Sequence, residues 1–231
     1  MASSADTTKA RLIGAAERLF AERGIDAVSL REINRASGAR NAIAVQYHFE
    51  DRAGVVTAIL AKHTPDVEAR RHAMLDQYEA DGPADPAGSA SAGDVRLLAA
   101  ALVRPLAAKL SDADGGPEYL QIHADLLNRP HPRVGRIEDD DPTDSINRWR
   151  KLVEPLIERS AVRLHRRLTA IQFAAVELGR RARSGPHTDE RLFTSYVIDV
   201  VAAILQAPVS PETRRLADER DAARGLGDGA R

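Results

Sequence analysis

The sequence predicts an all-α fold made of a small N-terminal head and a larger helical bundle. Three observations carry that reading. Ala, Leu and Arg recur throughout, while aromatic residues make up only 4% of the 231 positions; such a composition favours helix because these side chains lose little rotamer freedom there. Apolar residues recur at three- and four-residue spacing in segment after segment, the period of a helix with one buried face. No stretch alternates apolar and polar residues with Val, Ile and Thr enrichment long enough to make a sheet.

The first helix is expected over 8–23, where Leu12, Ala16, Leu19 and Phe20 form one apolar stripe and Gly24 supplies the stop. Ser29-Leu30-Arg31-Glu32 reads as a capping box that opens a second helix running to about Ala36 and ending near Ser37-Gly38. A third, short helix follows, with Asn41 as its cap and Ala42–Phe49 as its body. Two short helices joined by a Gly-containing turn, with Ile33, Ile43 and Phe49 for a shared core, make a helix-turn-helix.

A fourth helix starts near Asp51. Thr64-Pro65 predicts a break in it, Thr64 capping and Pro65 restarting a segment that runs to about Tyr78. Residues 80–93 are small, Pro- and Gly-rich and read as a mobile loop. Helices resume over 94–111, 117–128, 144–158, 161–183 and 188–206, with a Pro-rich, acidic loop at 129–143. The tail from Pro211 is expected to hold a helical turn or two before a disordered end at 225–231. The chain thus divides into a head over 1–62 and a second domain over 63–231.

Composition excludes several function classes. Net charge is −1, and the first 62 residues hold nine Lys and Arg against seven acids, so charge alone does not mark a nucleic-acid binder. The absence of cysteine removes disulfides, thiolate metal sites and cysteine nucleophiles. No HExxH, Gly-rich phosphate loop or strand-borne nucleophile motif is present, so no enzyme, cofactor or metal is expected. His123 and Asp125 lie two apart and point to different faces of a helix, and the acidic run 138–141 reads as a solvated loop. Residues 1–8 lack the apolar core of a signal peptide and no run reaches the length of a membrane span, which points to a cytoplasmic protein.

Residues 15–24 (Ala-Ala-Glu-Arg-Leu-Phe-Ala-Glu-Arg-Gly), Val28-Ser29-Leu30-Arg31-Glu32-Ile33, Ala36-Ser37-Gly38 and Gln46-Tyr47-His48-Phe49 together resemble the TetR family of transcriptional regulators over roughly residues 8–62. There are two departures: Asn34 stands where the family usually has Ala, and the turn at Gly38-Ala39-Arg40-Asn41 is one residue longer. The resemblance implies operator DNA as a partner. Ser29 and Arg31 sit at a helix N-terminus suited to a phosphate. Tyr47 and His48 match positions that touch the DNA backbone, and Arg52 matches a position usually held by a basic residue. Ala42, Ile43, Ala44 and Gln46 lie on the recognition helix, Gln46 suited to adenine and the apolar groups to thymine methyls. Either Arg40 or Asn41 reads a base.

For the second domain the resemblance implies a ligand-binding and dimerisation bundle, a homodimer and an unidentified small-molecule effector. The apolar helices suggest a largely apolar pocket lined by Leu102, Leu106, Tyr119, Leu120, His123, Leu127, Trp149, Leu152, Phe173 and Glu177. Phe193, Tyr196, Val197, Val200, Val201 and Ile204 give the last long helix a wide apolar face for the dimer. An effector would tilt the 66–78 segment through the Pro65 break and release DNA. The competing reading is a helical adaptor that docks a protein instead of DNA; salt dependence separates the two.

Overall fold

The computed structural model describes residues 4–39, 43–82, 92–129 and 144–224. The fold is all-α, with no strand among those residues. Arg40, Asn41 and Ala42 lie outside the described residues, as do most of the two expected loops and the expected disordered end.

Helix α1 (Ser4–Arg23) buries Leu12, Ala15, Ala16 and Phe20 on one face, as the stripe predicts. Helices α2 (Leu30–Ala36) and α3 (Ala44–Phe49) pack beside it through Ile33, Val45 and Phe49. Ile43 is 59% exposed, so Val45, not Ile43, completes that core.

Helix α4 (Arg52–Asp81) is unbroken, which corrects the expected restart at Thr64-Pro65. Pro65 is exposed, so its ring and its missing N–H fall on the solvent side, where water satisfies the freed carbonyl. The opposite side holds the helix together. Val55, Ile59, His63, Val67, Arg71 and Leu75 are all buried, each four residues from the last. A four-residue step overshoots the 3.6-residue turn, so this buried row winds about halfway round the helix along its length. Its lower part (Val55, Ile59, Val67) belongs to an apolar cluster with α1–α3; Leu75 belongs to a second cluster.

Helix α5 (Ala92–Ala107) runs through the middle of that second cluster, with Leu98, Leu102 and Val103 fully buried, and tightens into a 3₁₀ turn at Ala108–Ser111. Helix α6 (Gly116–Leu127) returns to the first cluster through Tyr119, Leu120, Ile122 and Leu126. The predicted 144–158 helix is shorter, α7 (Ser145–Val153) with a 3₁₀ turn at Glu154–Leu156, where Pro155 has no N–H to extend the helical ladder. Helix α8 (Arg159–Arg163) is cut from α9 (Arg166–Arg183) by His165 in the left-handed region at φ 56°, where one continuous helix was expected. Helix α10 (Arg191–Gln206) follows, and the tail forms a full helix α11 (Pro211–Ala223) instead of a turn or two. Its start is capped by Ser210, whose hydroxyl accepts the Thr213 N–H at 3.2 Å, and Arg163 pairs with Asp221 at 2.6 Å.

One buried polar node joins the first four helices to the rest. Glu17 of α1 is 2% exposed and accepts from Lys62 Nζ at 3.0 Å while lying 2.8 Å from His63 Nε2, both on α4. Lys62 also reaches Asp114 at 2.9 Å in the turn before α6. Gly115 sits at φ 81°, which favours glycine, and a Cβ there would come 2.4 Å from Glu17 Oε2 and push that carboxylate aside.

Among the described residues no single helix is long and apolar enough to cross a membrane.

Candidate nucleic-acid interface

The N-terminal head is assembled by short polar contacts around its apolar core. Ser29 and Glu32 form the predicted capping box: the Ser29 hydroxyl accepts the Glu32 N–H at 3.3 Å, and Glu32 Oε2 accepts the Ser29 N–H at 2.8 Å. The backbone of Ser29, then the Arg23 side chain at 2.7 Å and the Ser29 hydroxyl, pull the Glu32 carboxyl down to a pKa of about 2. Arg11 donates through Nε and Nη2 to the Ser37 carbonyl, at 3.1 and 2.6 Å, which pins the end of α2 to α1.

Helix α3 has Ile43 at its start with no side-chain cap. Ala44, Val45 and Phe49 turn inward, while Gln46 and Tyr47 turn out. Tyr47 is 79% exposed and, with Ile43, is one of the largest apolar surfaces left open on the head. His48 is half-buried, its ring edge-on to Tyr47 at 5.2 Å. Gln46, Tyr47 and Ile43 therefore form one outward face, seated on three buried neighbours. Ala44 is a correction: at 4% exposure its methyl packs in the core and does not reach a groove.

The link from α3 to α4 is a three-residue turn. Glu50 has φ 63° and ψ −61°, and the Asp51 N–H donates to the Phe49 carbonyl at 2.6 Å, a tight γ-turn that side-chain-bearing residues adopt at a cost. Asp51 then caps α4 by accepting the Gly54 N–H at 2.7 Å. A Cβ on Gly54 would sit 1.9 Å from the Phe49 oxygen, so α3 and α4 approach this closely only because Gly54 has none.

Of the remaining expected contacts, Ser29 and Arg31 are exposed at the start of α2. The hydroxyl and N–H of Ser29 are already engaged by Glu32, which leaves later N–H groups of that first turn as the free donors. Arg52 is half-buried and donates Nη2 to the Val28 carbonyl at 3.0 Å, so one arm of its guanidinium is structural.

In the C-terminal helices the expected pocket residues do not converge on one cavity. Leu106, Tyr119 and Leu120 lie in the first apolar cluster; Leu102 and Trp149 lie in the second, with Leu152 and Phe173 at its edge. Trp149 is fully buried and its Nε1 donates to the Leu98 carbonyl at 2.8 Å. Leu127 is 6% exposed, and Glu177 pairs with Arg180 at 2.6 Å on the surface of α9. These are core and surface roles. Only His123, half-buried on α6, keeps a buried ring nitrogen, Nδ1, without a partner.

The expected dimer face is also rearranged. Val197 and Val201 are fully buried against α5, so they belong to the protomer's own core. Tyr196 is 59% exposed; Phe193, Val200 and Ile204 are half-buried, Phe193 with the Arg181 guanidinium 4.9 Å over its ring. The most exposed apolar residue of α10 is Leu192, at 82%, one turn before Tyr196, and Leu168 and Val176 are exposed on α9. Periodicity holds the signal for this: counting 197, 198, 201, 202 and 205 as the inner face leaves 192 and 196 outside.

Residues 12–59 match the family model of bacterial regulatory proteins, tetR family. No curated protein matches the chain.

Proposed function

From the match of residues 12–59 to the tetR family model we propose that the chain is a DNA-binding transcriptional regulator of that family, working as a cytoplasmic, homodimeric repressor released from its operator by a small, largely apolar effector. The head extends to about residue 62 and the effector and dimer functions fall to 63–231. The DNA face comprises Ser29, Arg31, Gln46, Tyr47, His48 and Arg52, together with Arg40, Asn41 and Ala42. Gln46 pairs with a base edge, while Tyr47, His48 and the basic residues hold phosphates and so fix the register. The observation that supports the reading is the outward face of α3, where Ile43, Gln46 and Tyr47 stand open while Ala44, Val45 and Phe49 pack inward.

Dimerisation sets two such faces about one helical turn apart, roughly 34 Å, on a two-fold symmetric operator. The exposed Leu192 and Tyr196 of α10 with Leu168 and Val176 of α9 support a paired-helix interface. Because α4 is one unbroken helix, effector release moves it as a unit; it does not bend at Pro65.

The test is fluorescence anisotropy of the full chain on duplexes tiling the DNA upstream of its own gene, at two salt concentrations. Selective binding that weakens steeply with salt, and falls in Gln46→Ala, supports the reading. Binding that is absent there and in a random-sequence selection leaves the adaptor reading in its place.

A further inference from the structure

Asp26, in the turn between α1 and α2, holds its carboxylate between two guanidiniums. Its Oδ2 accepts from Arg129 Nη2, just past the end of α6, at 2.9 Å, and its Oδ1 lies 3.9 Å from Arg52 Nη1 at the start of α4. The two arginines thus stand one carboxylate apart. They also line one recess of about 300 Å³, whose apolar wall is Ile25, Val56, Leu60 and Leu126. Ile25 and Leu126 are each 3% exposed and belong to the first apolar cluster, with Val56 and Leu60 packed against it. That wall is therefore held in place by the protein's own core.

Asp26 serves this pair poorly. Its side chain is 74% exposed, 3.9 Å is long for an ion pair, and exposed pairs hold weakly. Arg129 has a second carboxylate, Asp125 at 3.0 Å, whereas Arg52 has no other among the described residues. Arg52 Nη2 is spent on the Val28 carbonyl at 3.0 Å, and its Nε is shut off from solvent without a partner. Another recess makes the contrast. Beside the end of α1, Arg18, Glu22, Arg23, Glu118, Gln121 and Arg183 line a larger opening with no large apolar side chain, which suits water better than a molecule with a tail.

We propose that this recess binds a small monocarboxylate with a short apolar tail, its carboxylate taking the place of Asp26 between Arg52 and Arg129. The planar guanidinium matches a carboxylate, and the tail covers Ile25, Val56, Leu60 and Leu126. A neutral molecule leaves Asp26 in place and gains only the apolar wall. A dicarboxylate adds a charge that no further cation in the wall meets. The occupant differs in charge from the effector proposed above and its wall belongs mainly to the head, so the site does not depend on that effector. Displacing Asp26 frees the turn ahead of the α2 capping box from the end of α6. Arg52 also stands on the proposed DNA face, so a carboxylate held there competes with an operator phosphate; this consequence rests on the DNA-binding reading.

The test is nuclear magnetic resonance of the ¹⁵N-labelled full-length protein, following the Ile25, Asp26 and Val56 amides during titration with hexanoate, acetate and hexanol at constant ionic strength. Saturable shifts are expected with hexanoate, with acetate and the alcohol binding at least about fivefold more weakly. Arg129→Gln weakens hexanoate by about fivefold or more, while Asp26→Asn, which removes the competing carboxylate, tightens it by about threefold. Thermal melts check that both variants fold. Absent shifts at these three amides, equal binding of the alcohol, or no gain in Asp26→Asn overturns the proposal. Anisotropy on operator DNA with the same preparation separates the site from the DNA-binding reading. Amides that respond to hexanoate in a protein that binds no duplex remove the DNA reading and keep the site; a bound operator with unresponsive amides removes the site alone. A bound operator that hexanoate fails to weaken, although the amides respond, removes the competition at Arg52.

Discussion

Removing the Glu17 carboxylate tests whether the buried node between α1, α4 and the turn before α6 holds the molecule together. Glu17 is 2% exposed and satisfies two cationic or hydrogen-bonding groups at once, Lys62 at 3.0 Å and His63 at 2.8 Å. In Glu17→Ala, Lys62 retains Asp114, but His63, itself 1% exposed, loses its carboxylate and faces a cavity. Breaking a buried pair from one side costs about 3–5 kcal/mol. For a chain of this length that lowers the melting temperature by roughly 6–20 °C. Glu17→Gln keeps the shape and one hydrogen bond, so its loss is about 1–2 kcal/mol, or roughly 2–8 °C. The assay is thermal unfolding of both variants followed by far-ultraviolet circular dichroism. A Glu17→Ala melt within 2 °C of the unaltered protein, or the two variants melting together, refutes the claim that a charge at this position is structural.

Tyr47→Phe, which leaves the fold untouched because the ring is 79% exposed, weakens operator binding by about fivefold to tenfold through one lost phosphate hydrogen bond; anisotropy reads it. Glu50→Gly relaxes the γ-turn at φ 63° and leaves stability equal or raises it by up to about 1 kcal/mol, whereas Glu50→Val lowers it, both measured by denaturant titration. The folded pKa of His123, about 4, lies below the ordinary 6.5, so the unfolded chain takes up the proton first on acidification. The stability this ring supplies is full above pH 6.5 and is lost as pH falls towards 4, about 1–2 kcal/mol by pH 5 once its partial exposure is allowed for. The fall in melting temperature from pH 7 to 5 is therefore smaller in His123→Phe than in the unaltered protein. Leu192→Glu with Tyr196→Glu turns the proposed dimer into a monomer in analytical ultracentrifugation while the melt of the protomer's own core persists, since both residues are exposed.

Local rules carried the head further than the bundle. The Ser29–Glu32 box and the α1 stripe are interactions over three or four residues, and local spacing specifies them. The turn at Glu50 is not readable this way, because nothing about Glu announces a left-handed backbone; the nearest signal is Gly54, whose missing Cβ admits the Phe49 carbonyl. Pro65 misled for the converse reason. Its local penalty is real, but burial of Ile59, His63 and Val67 on the opposite face outweighs it. In the bundle, apolar residues at helical spacing do not say which cluster they join. Leu102 and Leu106 are one turn apart on α5 yet fall in different clusters, so residues that read as one pocket are split between two cores. On α10, too, the apolar arc exceeds what the interior holds, and only packing assigned Val197 inward and Leu192 outward.

The winding row of buried residues on α4 makes the head and the bundle a matter of phase. One residue added or removed between Val55 and Leu75 turns everything beyond it by about 100° and shifts it by about 1.5 Å. The lower cluster would then keep its grip while Leu75 swung away from α5, or the reverse. Side-chain changes on the exposed side of this stretch are tolerable; changes of length are not, unless they come close to whole turns. The angle at which the reading face of α3 is presented is thus encoded in a residue count.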